Sequence, residues 1–179
     1  MQRVPSPHSL DLVAEGLGAL PPTLVCSAAM AIEFQHAVDV RVAPESAFAV
    51  LDDVARTPEW LARCTGIDKL SEGPNAAGTR LRYHYRDGGR TGVMEGQITE
   101  RLPNEHLRMQ YADRMMDVNV DFRVSKSAEG ARLVHAIAIT PKSWIVRLFS
   151  PLIRRQLPDQ TITAMQRLKA LLESSPPAS

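Results

Sequence analysis

The sequence predicts one α+β domain: a strand, two short helices, six further strands and a long C-terminal helix. Three observations carry this. Apolar and polar residues alternate with a period of two from Ile32 to Val42 and again through the segments after residue 66. Turn residues cut those later segments into consecutive hairpins that agree on one apolar face. A helical stripe of Ile162, Met165, Leu168 and Leu172 closes the chain. With 179 residues, 44% hydrophobic and 23% charged, one sizeable core is possible, and the composition argues against a wholly disordered, collagen or coiled-coil chain. A net charge of +1 provides no bulk field to draw nucleic acid or an acidic membrane.

In the first strand Ile32, Phe34, Val38, Val40 and Val42 alternate with Glu33, Gln35, Asp39 and Arg41, which puts His36 on the apolar face. Pro44 opens a helix lined by Phe48, Leu51 and Ala55. Thr57-Pro58-Glu59 reads as an N-cap followed by proline at the first position of a second short helix, with Trp60 and Leu61. Asp87-Gly88-Gly89-Arg90 offers two central glycines for a primed turn. That turn sets Tyr85 opposite Gly92, Tyr83 opposite Met94 and Leu81 opposite Gly96, with Arg82 meeting Glu95 and Arg80 meeting Gln97 on the other side. A tight turn at Pro103-Asn104 pairs Ile98 with Met109 and Gly96 with Tyr111. A turn at Asp113-Arg114 pairs Tyr111 with Met116 and Met109 with Val118. The last strand, Leu133 to Thr140, is expected to turn Leu133, His135, Ile137 and Ile139 inward. Beyond Lys142 a helix runs to Glu173, with Pro151 and Pro158 expected to interrupt or kink its first half.

Residues 1–29 carry four prolines, no aromatic residue and no sustained period, and are expected to form a flexible leader before a domain spanning residues 30–173. The alternative is an ordered helix over Leu10 to Leu20. Residues 174–179 read as a disordered Ser/Pro tail. Cys26 and Cys64, 38 positions apart, match neither a disulfide framework nor a metal motif. The stretch from Leu17 to Ile32 is broken by Pro21 and Pro22, so no membrane span or signal peptide is read there. A cytoplasmic protein is the expectation.

The opening strand, the Pro44-to-Asp53 helix, Pro58-Glu59-Trp60, Gly78-Thr79, the Glu100-Arg101-Leu102-Pro103 corner and the terminal amphipathic helix resemble the START and polyketide-cyclase superfamily, often called SRPBCC, over residues 31–173. The resemblance implies a helix-grip fold: a bent seven-stranded antiparallel sheet wrapped around the long C-terminal helix, enclosing a hollow. Members use that hollow for lipids, sterols, quinones, aromatic polyketides or hormones, and a minority are aromatases and cyclases.

Within such a hollow, the residues expected to meet a ligand are Phe34, His36, Tyr83, Tyr85, Met94, Ile98, Met109, Tyr111, Met116, Val118, His135, Ile137, Met165 and Leu168. Gly92 and Gly96, lacking side chains, leave space in front of themselves, and methionines pack adaptably on an apolar guest. His36 and His135 could converge if the first and last strands are neighbours. Together with Tyr83 they are the candidates for acid–base catalysis. Their alternative reading is as separate, hydrogen-bonded wall residues. Asp117-Val118-Asn119-Val120-Asp121 mimics the start of a calcium loop, but Phe122 replaces the required glycine and the alternation reads as a strand, so no metal is expected. Arg80, Arg82, His84 and Arg86 form a basic outer stripe too local for nucleic acid. Arg147, Arg154 and Arg155 flank Trp144, Phe149 and Leu152 and could touch anionic lipid headgroups. The reading is therefore a binding or transport protein for a hydrophobic or amphipathic small molecule, without a cofactor. A cyclase, aromatase or dehydratase using His36, His135 or a cavity tyrosine stands as the alternative. A quinone-binding or protein-partnering role through Trp144 to Arg155 is a third. The oligomeric state is not readable from the sequence.

Overall fold

The computed structural model describes residues 31–174, so the leader over residues 1–29, the alternative helix Leu10–Leu20 and all of the 174–179 tail except Ser174, which ends the last helix, lie outside the described residues. The elements are β1 (Ile32–Val40), α1 (Pro44–Asp52), a 3₁₀ turn (Val54–Arg56), α2 (Thr57–Trp60), β2 (Cys64–Lys69), β3 (Arg80–Asp87), β4 (Arg90–Leu102), β5 (His106–Ala112), β6 (Met116–Ser127), β7 (Gly130–Pro141) and α3 (Trp144–Ser174). All seven strands join one antiparallel sheet in the order β1-β7-β6-β5-β4-β3-β2. Curled around α3, this is the helix-grip α+β architecture.

Turn chemistry sets the register. Gly88 (φ 54°) and Gly89 (φ 82°) both occupy the left-handed region, as a type I′ turn requires, and the expected β3–β4 pairs all form. Ile98 pairs with Met109 and Gly96 with Tyr111, as the sequence indicates, with a bulge between Ile98 and Glu100. The β5–β6 register differs from expectation by two residues: Tyr111 pairs with Val118, not Met116, and Met109 with Val120, not Val118. The reason lies in the turn. Asp113 precedes it rather than occupying its centre, its carboxylate accepting the Met115 and Met116 amides at 2.7 and 2.8 Å. Arg114 and Met115 thus become the central residues. A shift of two keeps every side chain on its intended face.

Three local expectations also change. α1 ends at Asp52, and the 3₁₀ turn that follows buries Val54 and leaves Ala55 exposed. Thr57 is the first residue of α2 rather than its cap, because the 3₁₀ turn runs straight into the helix and the Thr57 amide is taken by the Val54 carbonyl. α3 runs unbroken through Pro151 and Pro158. Each proline removes one helical hydrogen bond, to the carbonyl of Arg147 or Arg154, and both of those residues are on exposed turns.

The closed end of the core packs Val40, Phe48, Leu51, Leu107, Val124 and Leu133 against Met165, Leu168 and Leu172 of α3. Across this end Asp52 grips Arg101 with two 2.8 Å hydrogen bonds and accepts another from Asn75. Burial alone would raise the Asp52 carboxyl, but these bonds hold it below its usual range. Among the described residues no helix is long and apolar enough to cross a membrane.

Candidate ligand-binding cavity

Inward side chains of neighbouring strands form ladders across the sheet, and each ladder is one layer of a hollow. One layer runs His36, His135, Phe122, Leu107. The next is Phe34, Ile137, Val120, Met109, Ile98, and the next Ile32, Ile139, Val118, Tyr111, Gly96, Leu81. From Phe122 to Met116 the wall climbs about 20 Å, taking roughly 3.3 Å per residue. Between this wall, α2 and the stretch of α3 from Leu152 to Arg167 lies a cavity of about 560 Å³, a volume typical of small-molecule sites.

Aromatic contacts shape the interior. Phe122 stacks on His135 with ring centres 4.4 Å apart and meets Trp60 edge-on at 5.8 Å. Tyr83 lies 6.1 Å from Tyr85 and 5.3 Å from Tyr111. The glycines opposite these tyrosines do not leave space open, contrary to expectation. A Cβ on Gly92 would fall inside the Tyr85 ring, and one on Gly96 inside the Tyr111 ring and 2.7 Å from the Gln110 carbonyl oxygen. Their absent side chains let the tyrosine rings lie flat across the sheet, so the emptiness of the hollow is set elsewhere.

Polar groups in the interior are few and neutral. His135 is 5% exposed, and desolvation pushes its imidazole down to about 4, outweighing attraction from Asp121. Its Nδ1 and the Nε1 of Trp60 are buried with no hydrogen-bond partner among the described residues. The Tyr111 hydroxyl donates to Met109 Sδ at 3.3 Å. Burial raises the Tyr83 and Tyr111 phenols well above their ordinary value and pushes the free Cys64 thiol up to about 11. Thr57 and Thr161 complete the neutral set. The charged lining residues Arg63, Asp87, Asp159 and Arg167 are solvent-accessible and therefore belong to the mouth, where Arg63 pairs with Asp87 at 2.7 Å.

Of the residues singled out from sequence, Tyr83, Tyr85, Met94, Met109, Tyr111, Met116, Val118, His135 and Ile137 line the cavity. Five others do not. Ile98, Met165 and Leu168 are sealed in the closed core, Phe34 packs in a smaller cluster with Ile32 and Ile139, and His36 is half-buried outside the lining. His36 and His135 are direct register partners on one face, yet only His135 reaches the cavity. The reading of the pair as hydrogen-bonded wall residues fails at His135 Nδ1. Sequence reasoning missed Trp60, Phe122, Leu157, Thr161 and Ala164; the apolar strand parity was the signal for Phe122. Within the calcium-like run Val118 and Val120 turn to the cavity while the acidic residues take the other face of β6, with Asp117 paired to Lys142 and Asp121 to His106, Arg108 and Arg123. In the basic stripe Arg82 pairs with Glu95 and His84 with Asp68.

A family model described as polyketide cyclase/dehydrase and lipid transport matches residues 31–173. The chain belongs to this family. No curated protein matches it by sequence. Among solved structures, the Zhui aromatase/cyclase from Streptomyces sp. R1128 superposes with a TM-score of 0.66 at 13% identity, covering 80% of this chain and 94% of that one. A START superfamily protein from Mycobacterium smegmatis gives 0.66 at 14% identity, covering 79% and 97%. The di-domain aromatase/cyclase StfQ of the steffimycin biosynthetic pathway gives 0.65 at 15% identity over 80% of this chain. The chain spans about half of StfQ, 51% of its length. At these identities the likeness is one of fold, and the family includes binders and cyclases alike.

Proposed function

We propose that the protein binds a hydrophobic or amphipathic small molecule of the lipid, quinone or polyketide class in the cavity between the sheet and α3, and carries it without chemical change. The observation that supports this reading most is the partition of the lining: aromatic, aliphatic and neutral polar groups inside, and charges confined to the mouth. An apolar body is accommodated within, and a polar end is left near Arg63, Asp87 and Arg167. The unpartnered Trp60 Nε1–H and His135 Nδ1 favour a ligand with one hydrogen-bonding group at its deep end.

A cyclase or dehydratase activity is the second reading, favoured by His135 on the cavity wall. Against it, an imidazole held near 4 is a feeble base at neutral pH, and phenols raised by burial are feeble acids. Native mass spectrometry of freshly purified full-length protein, followed by denaturing extraction, tests the choice. A bound mass released unchanged supports carriage. Turnover of an added poly-β-keto substrate that is lost in His135→Gln or Tyr83→Phe would replace it with catalysis.

A further inference from the structure

The first half of α3 presents a wide apolar face that is largely open to solvent. Trp144, Ile145, Leu148, Phe149 and Leu152 are exposed, Trp144 by 74% and Leu148 by 68%. At about 100° per residue they span an arc of about 140°. The buried residues of this half, Val146 and Leu157, lie outside that arc. From Ser143 to Pro158 the only charged side chains are Arg147, Arg154 and Arg155, all exposed. Exposed Met115 and Arg114 of the β5–β6 turn adjoin the helix start, because the Met115 carbonyl accepts the Lys142 and Ser143 amides at 2.9 and 3.2 Å. Lys142 itself is neutralised by Asp117 at 2.6 Å.

We propose that this face docks on an anionic phospholipid surface. A tryptophan-bearing apolar arc bordered on one side by Arg147 and Arg154, with Arg155 at its C-terminal end, matches the bilayer interface, where rings sit at headgroup level and guanidinium groups meet phosphate. A second copy of the chain is a poorer occupant, since from Ser143 to Pro158 an identical face offers no Asp or Glu to meet the arginines. The face is continuous with the cavity: Leu152 belongs to both, and Ile153 and Gln156 beside it line the mouth. Docking therefore turns the mouth toward the bilayer, so that an apolar guest crosses without entering water. That consequence rests on the ligand-binding reading; the docking does not.

The test is co-sedimentation of the full-length chain with vesicles of phosphatidylcholine alone and of phosphatidylcholine mixed equally with phosphatidylserine, read with tryptophan emission. Of the two tryptophans Trp60 is buried, so a blue shift and quenching by brominated acyl chains report Trp144. The mixed vesicles should bind, more weakly as salt is added, and phosphatidylcholine alone should bind less. Arg154→Gln with Arg155→Gln should weaken binding about thirtyfold, at roughly fivefold per basic residue. Leu148→Asp with Phe149→Asp should abolish it while melting temperature and cavity dye binding stay unchanged. Absence of sedimentation and of any Trp144 shift, or binding that survives Leu148→Asp with Phe149→Asp, overturns the proposal. So does concentration-dependent dimerisation that this double variant removes, which would give the face to a second copy. Loss of dye binding in wild-type protein would instead count against the cavity reading alone.

Discussion

Lowering the pH from 7 to 5 should destabilise the fold through His135. Its imidazole titrates near 4 when folded because desolvation disfavours the charged ring, against 6.5 when free. The unfolded chain therefore binds more protons between those values. Stability is full above about pH 6.5 and falls as the pH drops toward 4, where the loss from this group is complete. Integrating over that window gives a loss of about 2 kcal/mol between pH 7 and pH 5 and about 3 kcal/mol in total, at 1.36 kcal/mol per pKa unit. Carboxylates held below their usual range, such as Asp52 and Asp121, add their own losses at lower pH. The comparison that isolates His135 is His135→Phe, which keeps a ring stacked on Phe122 and cannot ionise. Urea unfolding at both pH values should show the wild type losing about 2 kcal/mol more than the variant. Parallel pH profiles would mean that His135 is not held neutral by burial, and the description of the cavity floor would be wrong.

Four further outcomes follow from particular contacts. Gly96→Ala should cost about 1–3 kcal/mol, since its Cβ meets both the Tyr111 ring and the Gln110 backbone; Gly92→Ala, whose three nearest neighbours are all atoms of the Tyr85 side chain, should cost less and be rescued by Tyr85→Ala in a double-mutant cycle read by thermal melting. Asp52→Asn should destabilise by about 2 kcal/mol, because the carboxylate charge and one of the two acceptors that Arg101 uses are lost, leaving a guanidinium N–H facing an amide N–H; denaturant titration reads it. Once a ligand is in hand, His135→Gln should change its affinity by about tenfold at most, the worth of one neutral hydrogen bond. A hundredfold loss of turnover with binding intact would reveal a catalyst instead.

Much of this arrangement was legible because turns and binary pattern spoke together. Gly88-Gly89 fixed β3 against β4 without ambiguity, and period-two alternation then placed Tyr83, Tyr85, Met94, Met109 and Tyr111 on one face. Asp113 misled because an aspartate can lie in a turn or just before it, and only its hydrogen bonds to Met115 and Met116 distinguish the two. Gly92 and Gly96 misled for a different reason: a missing side chain signals room, and whether a cross-strand neighbour takes that room depends on rotamers. The helix wall was least readable. Met165 and Leu168 look like the natural lid by hydrophobicity, yet they seal the closed end, and the smaller Thr161 and Ala164 face the hollow. Helical periodicity gives a stripe but not the angle at which α3 sits on the sheet. Neither the stacking of His135 on Phe122 nor the lack of a partner for its Nδ1 among the described residues is encoded by any local pattern.

The central claim is that the space beside Val118, Val120 and Ile137 is where an apolar guest resides. Titration of the full-length protein with an apolar fluorescent dye, in wild type and in Val118→Phe, tests it most directly. Val118 is a half-buried lining residue, so the larger ring can enter the hollow without displacing the closed core. The account predicts saturable binding of one dye per chain in the wild type. Val118→Phe should weaken it at least tenfold while melting as cooperatively as the parent. Equal dye affinity in the two folded proteins would contradict it.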